Sequence, residues 1–318
     1  MRILFMGTTD FSVPFLRKIM ERDEVVAVVT QGDRPSKRGH RLEYSEVKRL
    51  ALDKNILLFQ PDRIDNLDFV RNVKELTLDL IVVVAFGKVL PVEVLDIPQK
   101  GCVNIHFSLL PRYRGPAPVQ WALLNGDSTT GVSSIFMNEQ VDAGEIILQR
   151  EVAINCLDNY VTLLKKLCKA GVALLEETLD LIRQEKATPY PQDKSGVTYA
   201  PLLKKSDGQI NWNDSSRRIV NRIRALNPWP GTYIEIKGQK RIRILEAKVA
   251  SMLDVARKGR LPKPGEIVEI RRGEGFVVAC GEEGLLVTRV QPEGKSIYSA
   301  YDYLQGARLA VSDIWGAR

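Results

Sequence analysis

Short apolar runs alternate with amphipathic stretches over the first two hundred residues of the chain. Four runs rich in Val and Ile have the length of strands and lie at residues 2–6, 25–30, 80–85 and 102–107. The run at 80–85 is apolar at every position, which is typical of a central strand covered on both faces. Apolar residues at helical spacing predict helices at 11–22, 45–53, about 66–73, 117–124 and 159–185. This alternation predicts an α/β fold with a doubly wound, Rossmann-like parallel sheet.

The pattern changes after residue 186. Residues 187–205 contain three prolines and no sustained period, which predicts an interdomain linker. Beyond the linker, one amphipathic helix is predicted at 215–226. Five short β-like runs punctuated by Gly and Pro follow at 232–236, 240–249, 265–270, 276–279 and 285–290. We therefore expect a domain over 1–186 and a second, smaller C-terminal β-barrel (OB-like) domain over 206–318.

The composition is that of a folded protein outside the membrane. Of 318 residues, 44% are apolar and 27% are charged, which is ordinary for globular proteins. The longest strictly apolar run has seven residues, whereas a membrane span needs about 20. The first eleven residues hold an apolar stretch of only four, too short for a secretory signal, so we expect the cytoplasm. Four scattered cysteines without a C-x-x-C pair predict a reducing compartment and no metal site.

The formal net charge of +7 is concentrated in the last third of the chain. Residues 1–205 carry 27 basic and 26 acidic side chains, whereas the residues after 205 carry 19 basic and 13 acidic ones. A basic module attached to a near-neutral one indicates a polyanionic partner, either nucleic acid or an anionic membrane surface. A solvated, lysine-rich surface is the alternative interpretation.

The usual signatures of nucleotide and covalent chemistry are missing from the chain. The first strand-to-helix turn, at residues 7–10, has neither G-x-G-x-x-G nor G-x-x-x-x-G-K-[ST], which disfavours an NAD or ATP enzyme. No Ser lies in a G-x-S-x-G elbow and no Cys lies near a plausible base, so covalent catalysis has no obvious nucleophile.

A polar pair stands at the end of a predicted strand. Asn104 and His106 are two residues apart, so both side chains project to one face. Open α/β sheets bind ligands at the carboxyl ends of their strands. An amide donor beside an imidazole suits oxyanion stabilisation and proton transfer, although a buried structural histidine has the same pattern. Asp142, two residues before Gly144, is a candidate carboxylate partner, and together the three favour direct group transfer to a nucleophile.

These residues also carry a resemblance. The segment N-I-H-F-S-L-L-P-R-Y-R-G-P-A-P at 104–118, followed by V-D-A-G at 141–144, resembles the signature of the 10-formyltetrahydrofolate-dependent formyltransferases. Those enzymes pair an Asn-x-His with a later Asp in D-x-G. Residues 138–144, N-E-Q-V-D-A-G, depart from the more usual D-E-G-L-D-T-G but keep the Asp and the Gly.

Other motifs resemble the members of this family that act on tRNA. They are T-Q-G-D-R-P at 30–35 with R-G at 38–39, N-P-W-P-G at 227–231 and S-A-Y-D-Y-L-Q-G at 299–306. The resemblance implies an enzyme that transfers a formyl group from 10-formyltetrahydrofolate to the α-amino group of methionine on initiator tRNA, for translation initiation. It further implies a monomer.

The resemblance also implies roles for individual residues. Asn104 and protonated His106 would donate hydrogen bonds to the oxyanion, and Asp142 would hold His106 in its charged form and relay a proton. The folate would contact Ser108, Leu109, Leu110 and Pro111, and the pterin pocket would be walled by Phe86, Gly87 and Leu90.

Basic residues suggest where tRNA is bound. The loop at 33–41 carries four Arg or Lys against one Asp, which suits contact with an RNA acceptor stem, although a solvated loop is the alternative. Two arginines in the signature would line the entrance for the tRNA 3′ end or form structural ion pairs. The predicted tRNA-binding residues are Arg34, Lys37, Arg38, Arg41, Arg112 and Arg114.

Phosphate contacts are also expected in the C-terminal domain. The residues predicted to make them are Arg217, Arg218, Arg222, Arg224, Lys237, Lys240, Arg241 and Arg243.

Two other functions remain open at this point. A formyltransferase that acts on a small amine, such as a sugar nucleotide or glycinamide ribotide, would share the Asn, His and Asp. It would need neither the basic loop nor the basic C-terminal domain, so these two features favour tRNA. A non-catalytic RNA-binding protein on a degenerate α/β scaffold would have no reason to keep the three polar residues.

Overall fold

The computed structural model describes residues 1–35, 42–236, 241–251 and 261–316. The chain divides into two compact units. The first unit consists of Met1–Pro118, Thr129–Ile154 and Leu163–Pro201. The second unit consists of Val119–Ser128, Asn155–Thr162 and Leu202–Arg318. The expected domain boundaries at 186 and 206 stay a prediction.

The first unit is built on a seven-stranded sheet. Its strands are β1 Arg2–Gly7, β2 Glu24–Val29, β5 Leu57–Phe59, β6 Leu80–Val84, β7 Cys102–His106, β8 Thr129–Phe136 and β9 Ile146–Ala153, and a separate two-stranded ladder is formed by β3 Arg34–Pro35 and β4 Leu42–Glu43. The order is β5-β2-β1-β6-β7-β8-β9, with parallel pairs from β5 to β7 and antiparallel pairs beyond. The chain reverses its direction of winding between β1 and β6, so the predicted doubly wound α/β sheet is confirmed. The two antiparallel strands make it a mixed sheet, and the four predicted runs correspond to β1, β2, β6 and β7.

Amphipathic helices cover this sheet. Their bounds are α1 Val13–Met20, α2 Glu46–Asp53, α3 Leu67–Lys74, α4 Val92–Leu95 and α6 Tyr160–Arg183. The helix α5 Pro118–Leu124 belongs to the second unit except for its first residue. Short 3-10 turns lie at Asp10–Ser12, Lys194–Gly196 and Lys205–Gly208. Two predicted helix starts are N-caps, because Ser45 accepts a hydrogen bond from the Lys48 backbone and Asn66 accepts two from the first turn of α3.

Alternating residues of the strands pack against these helices. On one face, Leu4 of β1 and Ile81 of β6 share a core with Phe69 of α3. Elsewhere, Thr178 of α6 donates to the Ser134 hydroxyl of β8 at 2.8 Å, which joins α6 to the sheet. None of the helices in the described ranges is long and apolar enough to cross a membrane.

The second unit carries an antiparallel sheet. Its elements are α7 Ser216–Leu226, β10 Thr232–Ile234, β11 Ile242–Ala250, β12 Ile267–Arg271, β13 Gly275–Ala279, β14 Gly284–Pro292, β15 Tyr298–Ser299 and α8 Ala300–Ala307. The order is β10-β11-β14-β13-β12, with β15 on β14, so the predicted helix and five strand regions are confirmed. The buried Trp315 anchors the core with its ring 4.8 Å from that of Phe276. Barrel closure stays a prediction, since the ladders between described residues form an open path from β10 to β12.

Candidate active site

Strand β7 brings two polar side chains to its carboxyl end. Asn104 and His106 point to the same side because they are two residues apart on a strand. His106 is buried at 6% exposure and Asn104 is half-buried. The strand lies between parallel β6 and antiparallel β8, so both residues stand on an inner strand of the sheet.

Asp142 reaches this pair from the loop between β8 and β9. Its Oδ1 lies 3.3 Å from the Asn104 amide nitrogen, which donates to it, and 3.5 Å from His106 Nδ1. Its Oδ2 accepts a hydrogen bond of 2.8 Å from the Gly115 backbone N–H. The structure therefore brings together the three residues that the sequence singled out.

The contacts of His106 indicate which charge the site accommodates. Nε2 lies 2.9 Å from the Tyr113 carbonyl oxygen, and Nδ1 faces the Asp142 carboxylate. Carbonyl and ionised carboxylate oxygens only accept hydrogen bonds, so a ring protonated at both nitrogens complements both neighbours. The positive charge of such a ring would lie beside the Asn104 amide.

The backbone of the Asp142 loop has two special positions. Asp142 itself has φ of 52°, a left-handed conformation that Asp tolerates better than most residues. Two residues later, a Cβ at Gly144 would overlap the Phe136 carbonyl oxygen at the end of β8. The glycine of the D-x-G pattern is thus a steric requirement of this turn.

Two polar residues of β8 and β9 hold the segment that follows His106. Ser133 donates to the Ser108 carbonyl oxygen at 2.7 Å and accepts from the Leu110 backbone at 3.0 Å. Gln149 donates to the Leu110 carbonyl oxygen at 2.9 Å and to Ser133 at 2.8 Å. Neither residue was predicted from the sequence, although a serine in a buried strand is an available signal. Ser108 and Leu110 are buried, whereas Leu109 and Pro111 are half-buried and present side-chain surface.

The residues expected around the pterin lie after β6. Phe86 and Leu90 are each 2% exposed and belong to the sheet core, and Ala85, which precedes Phe86, has a left-handed φ of 49°. Gly87 is exposed and Val89 is 65% exposed. The side chains of Phe86 and Leu90 therefore support the loop after β6 from the side of the core, and Gly87 and Val89 form the outer surface of this loop.

The predicted tRNA-binding residues have different surroundings. Arg112 is exposed, with its guanidinium carbon 5.1 Å from the centre of the Tyr113 ring. The Arg114 guanidinium instead donates two hydrogen bonds, of 3.0 and 2.7 Å, to the Gln192 side-chain oxygen. Arg34 lies in β3, and Lys37, Arg38 and Arg41 lie outside the described residues.

The root of the basic loop is anchored by a buried cation. Lys48 of α2 donates to Asp33 at 2.7 Å and to the Gln60 side chain at 2.8 Å. Hydrogen bonds from Gln60 and Lys48 lower the pKa of Asp33 below its ordinary value. The residue that opens the basic loop is therefore an ionised acceptor at neutral pH.

Several C-terminal arginines are engaged within their own unit. Arg222 donates to the Asp207 carbonyl oxygen, Arg243 to the Pro228 carbonyl oxygen, and Arg224 to Asn221. Arg241 forms an ion pair with Glu235 at 3.0 Å. The more accessible guanidinium groups are those of Arg217 and of Arg218, which is 72% exposed beside Asp214; Lys237 and Lys240 lie outside the described residues.

Within the described ranges, no group of three or more His, Cys, Asp or Glu side chains is arranged to hold a metal ion.

Most of the chain matches known protein families. Residues 1–179 match the model of the family "Formyl transferase", and residues 202–308 match "Formyl transferase, C-terminal domain". Curated relatives include the methionyl-tRNA formyltransferase of Thermodesulfovibrio yellowstonii, 42% identical over 309 residues and 96% of each chain. Another is the methionyl-tRNA formyltransferase of Moorella thermoacetica, 43% identical over 317 residues and 99% of each chain.

Solved structures share the fold at lower identity. WlaRD, a sugar 3N-formyl transferase solved in the presence of dTDP and 5-N-formyl-THF, is 20% identical with a TM-score of 0.66, over 93% of this chain and 99% of that one. HypX from Aquifex aeolicus, in complex with tetrahydrofolic acid, is 18% identical with a TM-score of 0.64, over 98% of this chain and 48% of that one. At these identities the likeness concerns the fold alone.

Proposed function

Because the chain belongs to the formyl transferase family, we propose that it transfers a formyl group from 10-formyltetrahydrofolate to the α-amino group of methionine on initiator tRNA. The relatives named for this activity match it over nearly their whole length, in both units. The observation that carries the chemistry is the contact of one Asp142 oxygen with both Asn104 and His106.

Asn104 is the first donor for the negative charge that develops on the formyl oxygen. Its amide uses one N–H on Asp142, which fixes the orientation of the amide group. The same hydrogen bond fixes the direction of the second N–H of the amide, and this N–H donates to the reacting formyl oxygen. A single donor of this kind is worth about 3 kcal/mol of barrier.

His106 supplies positive charge beside that donor. Tyr113 holds the ring through Nε2, and at 3.5 Å the contact of Nδ1 with Asp142 is an ion pair rather than a tight hydrogen bond. Nδ1–H is therefore the ring donor for the developing charge. Because the ring is buried, its charge acts with little screening from water.

Asp142 accepts the proton that the attacking amine loses. The attacking amine enters neutral and loses a proton as its bond to the formyl carbon forms, and Asp142 Oδ1 accepts that proton. When bound, 10-formyltetrahydrofolate supplies the formyl group and, as the formyl C–N bond breaks, the nitrogen that finally holds the proton. The bond from Gly115 to Oδ2 keeps the carboxylate in place throughout.

The residues around this cluster fit a folate. The segment from Ser108 to Pro111 is fixed by Ser133 and Gln149 and starts two residues after His106. Gly87 and Val89, after the neighbouring strand β6, offer exposed backbone and apolar surface for a flat ring. We assign Phe86 and Leu90 to support of this loop from within the core.

The tRNA is proposed to contact Arg34, Lys37, Arg38, Arg41 and Arg112 in the first unit. The exposure of Arg112 supports its contact with the tRNA. The +6 net charge after residue 205 supports a second, salt-sensitive contact through Arg217 and Arg218. Arg114 is assigned to a structural role, since its guanidinium is bound to Gln192.

We further propose that the protein acts as a cytoplasmic monomer. All three chemical residues come from one unit of one chain, so the chemistry needs no second subunit.

The proposal is tested by competition between acceptors. Purified protein receives labelled 10-formyltetrahydrofolate with methionyl initiator tRNA, glycinamide ribotide or an amino-sugar nucleotide at equal concentration. We expect the label on methionyl-tRNA alone. Transfer only to a small amine would replace the proposed substrate, and transfer to none would overturn the activity.

A further inference from the structure

Residues 190–200, which we call the strap, form hydrogen bonds both with the region of the Asp142 loop and with the segment that follows His106. At one end, Tyr190 and Ile146 exchange two backbone hydrogen bonds of 2.9 and 3.0 Å at the start of β9. At the other end, Arg114 donates to the Thr198 carbonyl oxygen at 2.9 Å and accepts from the Ala200 backbone at 2.7 Å. The strap therefore joins the strand after the Asp142 loop to the segment after His106.

Gln192 lies in the middle of the strap with every hydrogen-bonding position in use. Its side-chain nitrogen donates to the carbonyl oxygens of Asp142 at 2.9 Å and Gly144 at 2.8 Å. Its side-chain oxygen accepts both bonds from Arg114. A primary amide has two donor hydrogens and two acceptor lone pairs, so this buried group is fully satisfied.

These contacts close a ring around the carboxylate. Gln192 holds the Asp142 backbone, Arg114 holds Gln192, and the next residue, Gly115, donates to Asp142 Oδ2. Asp142 has a left-handed backbone, a conformation that persists where the surroundings fix it. The ring supplies that restraint from both the backbone and the side chain of Asp142.

We propose that Gln192 and Arg114 are positioning residues that set the distance of the Asp142 carboxylate from His106 and Asn104. Neither residue touches substrate; both act through Asp142. The inference rests on the proposed function, because it assumes that Asp142 takes part in formyl transfer.

Two substitutions distinguish the hydrogen bonds that Gln192 donates to Asp142 and Gly144 from those that it accepts from Arg114. Gln192→Met keeps the length of the side chain and removes all four hydrogen bonds. Gln192→Glu keeps an acceptor for Arg114 but places a carboxylate oxygen against the Asp142 and Gly144 carbonyl oxygens. Positioning of Asp142 thus predicts that both variants are impaired, whereas a role in holding Arg114 alone predicts that Gln192→Glu is unaffected.

The experiment measures kcat and KM for methionyl-tRNA and for 10-formyltetrahydrofolate, with circular dichroism as a check on folding. Gln99, an exposed glutamine of the same unit, gives the matched controls Gln99→Met and Gln99→Glu. We expect kcat to fall at least tenfold in both Gln192 variants, with each KM within about twofold of wild type, and no change in the controls. Because a misplaced Asp142 carboxylate slows the reaction step, the change is expected in kcat.

Two results would overturn the proposal. They are a kcat within twofold of wild type in the folded Gln192→Met variant or a full rate in Gln192→Glu. If Gln192→Met does not fold, Arg114→Lys tests the same ring with Gln192 intact, and the same fall in kcat is expected. A rise confined to KM for tRNA in Arg114→Lys would instead assign Arg114 to tRNA contact. Inactivity of the wild type would refute the proposed function itself, whereas an active wild type with unaffected variants refutes only this inference.

Discussion

The Asp142 carboxylate lies 3.5 Å from the His106 imidazole, although one residue ends β7 and the other lies beyond β8. The pairing of Phe136 with Val103 places the end of β8 beside the start of β7, and Asp142 reaches back to His106 from the loop that follows β8. The same oxygen of Asp142 also accepts from Asn104 at 3.3 Å. One carboxylate oxygen thus orients both groups that are proposed to stabilise negative charge.

Asp142→Asn removes this carboxylate while keeping its shape. We expect kcat to fall by about 10² or more, because the variant has no proton acceptor and places an amide against Asn104. The measurement is a single-turnover rate of formyl transfer, with Asp53→Asn at an exposed position as the matched control. A rate within threefold of wild type would show that Asp142 is dispensable.

Gly144→Ala tests the steric requirement of the D-x-G turn. The added Cβ overlaps the Phe136 carbonyl oxygen, so we expect the free energy of unfolding to fall by about 1–3 kcal/mol and formyl transfer to be lost with it. Urea denaturation measures the first effect. Gly306→Ala in α8 is the control, since a Cβ there meets nothing within 4 Å and should stabilise that helix by up to about 1 kcal/mol. Equal stability of Gly144→Ala and wild type would contradict the overlap.

The Asp33 anchor predicts a pH-dependent contribution to stability. Its pKa is lower in the folded than in the unfolded state, so the folded protein binds fewer protons at this group. The stabilisation is complete above the unfolded pKa of about 3.9 and is lost as the pH falls through the folded value. The difference in unfolding free energy between wild type and Asp33→Asn should therefore shrink below about pH 4. A difference that stays constant from pH 7 to pH 2.5 would refute this anchor.

Arg38→Ala combined with Arg41→Ala tests the predicted RNA contact of the basic loop. We expect KM for methionyl-tRNA to rise and its dependence on salt to weaken, because two phosphate contacts are removed. KM for 10-formyltetrahydrofolate should not change. An equal rise in both KM values would point to a folding defect and not to tRNA binding.

Local patterns predicted the part of the site that lies on regular structure. Asn104 and His106 follow from the period of a strand, and Asp142 follows from the D-x-G resemblance. Gln192 gave no such signal, because a single glutamine in a segment with several prolines has no periodic neighbours and gains its role only from distant carbonyl groups.

Tertiary contacts also decided where similar side chains point. Arg112 and Arg114 look equivalent in the sequence, but the strap pairs with the backbone of Arg114 and draws its guanidinium inward. Phe86 lies in the core although it directly follows the end of β6 and was expected in a ligand pocket. Strand β9 carries Gln149, Arg150 and Glu151 at the sheet edge, so its apolar alternation is too weak to be recognised.

The most direct measurement compares wild type and His106→Ala in the transfer of labelled formyl from 10-formyltetrahydrofolate to methionyl initiator tRNA. Circular dichroism confirms that the variant is folded before the rates are compared. We predict formylmethionyl-tRNA from the wild type and a rate lower by about 10² to 10⁴ in the variant. Turnover by folded His106→Ala at the wild-type rate would contradict the assignment of this cluster as the formyl-transfer site.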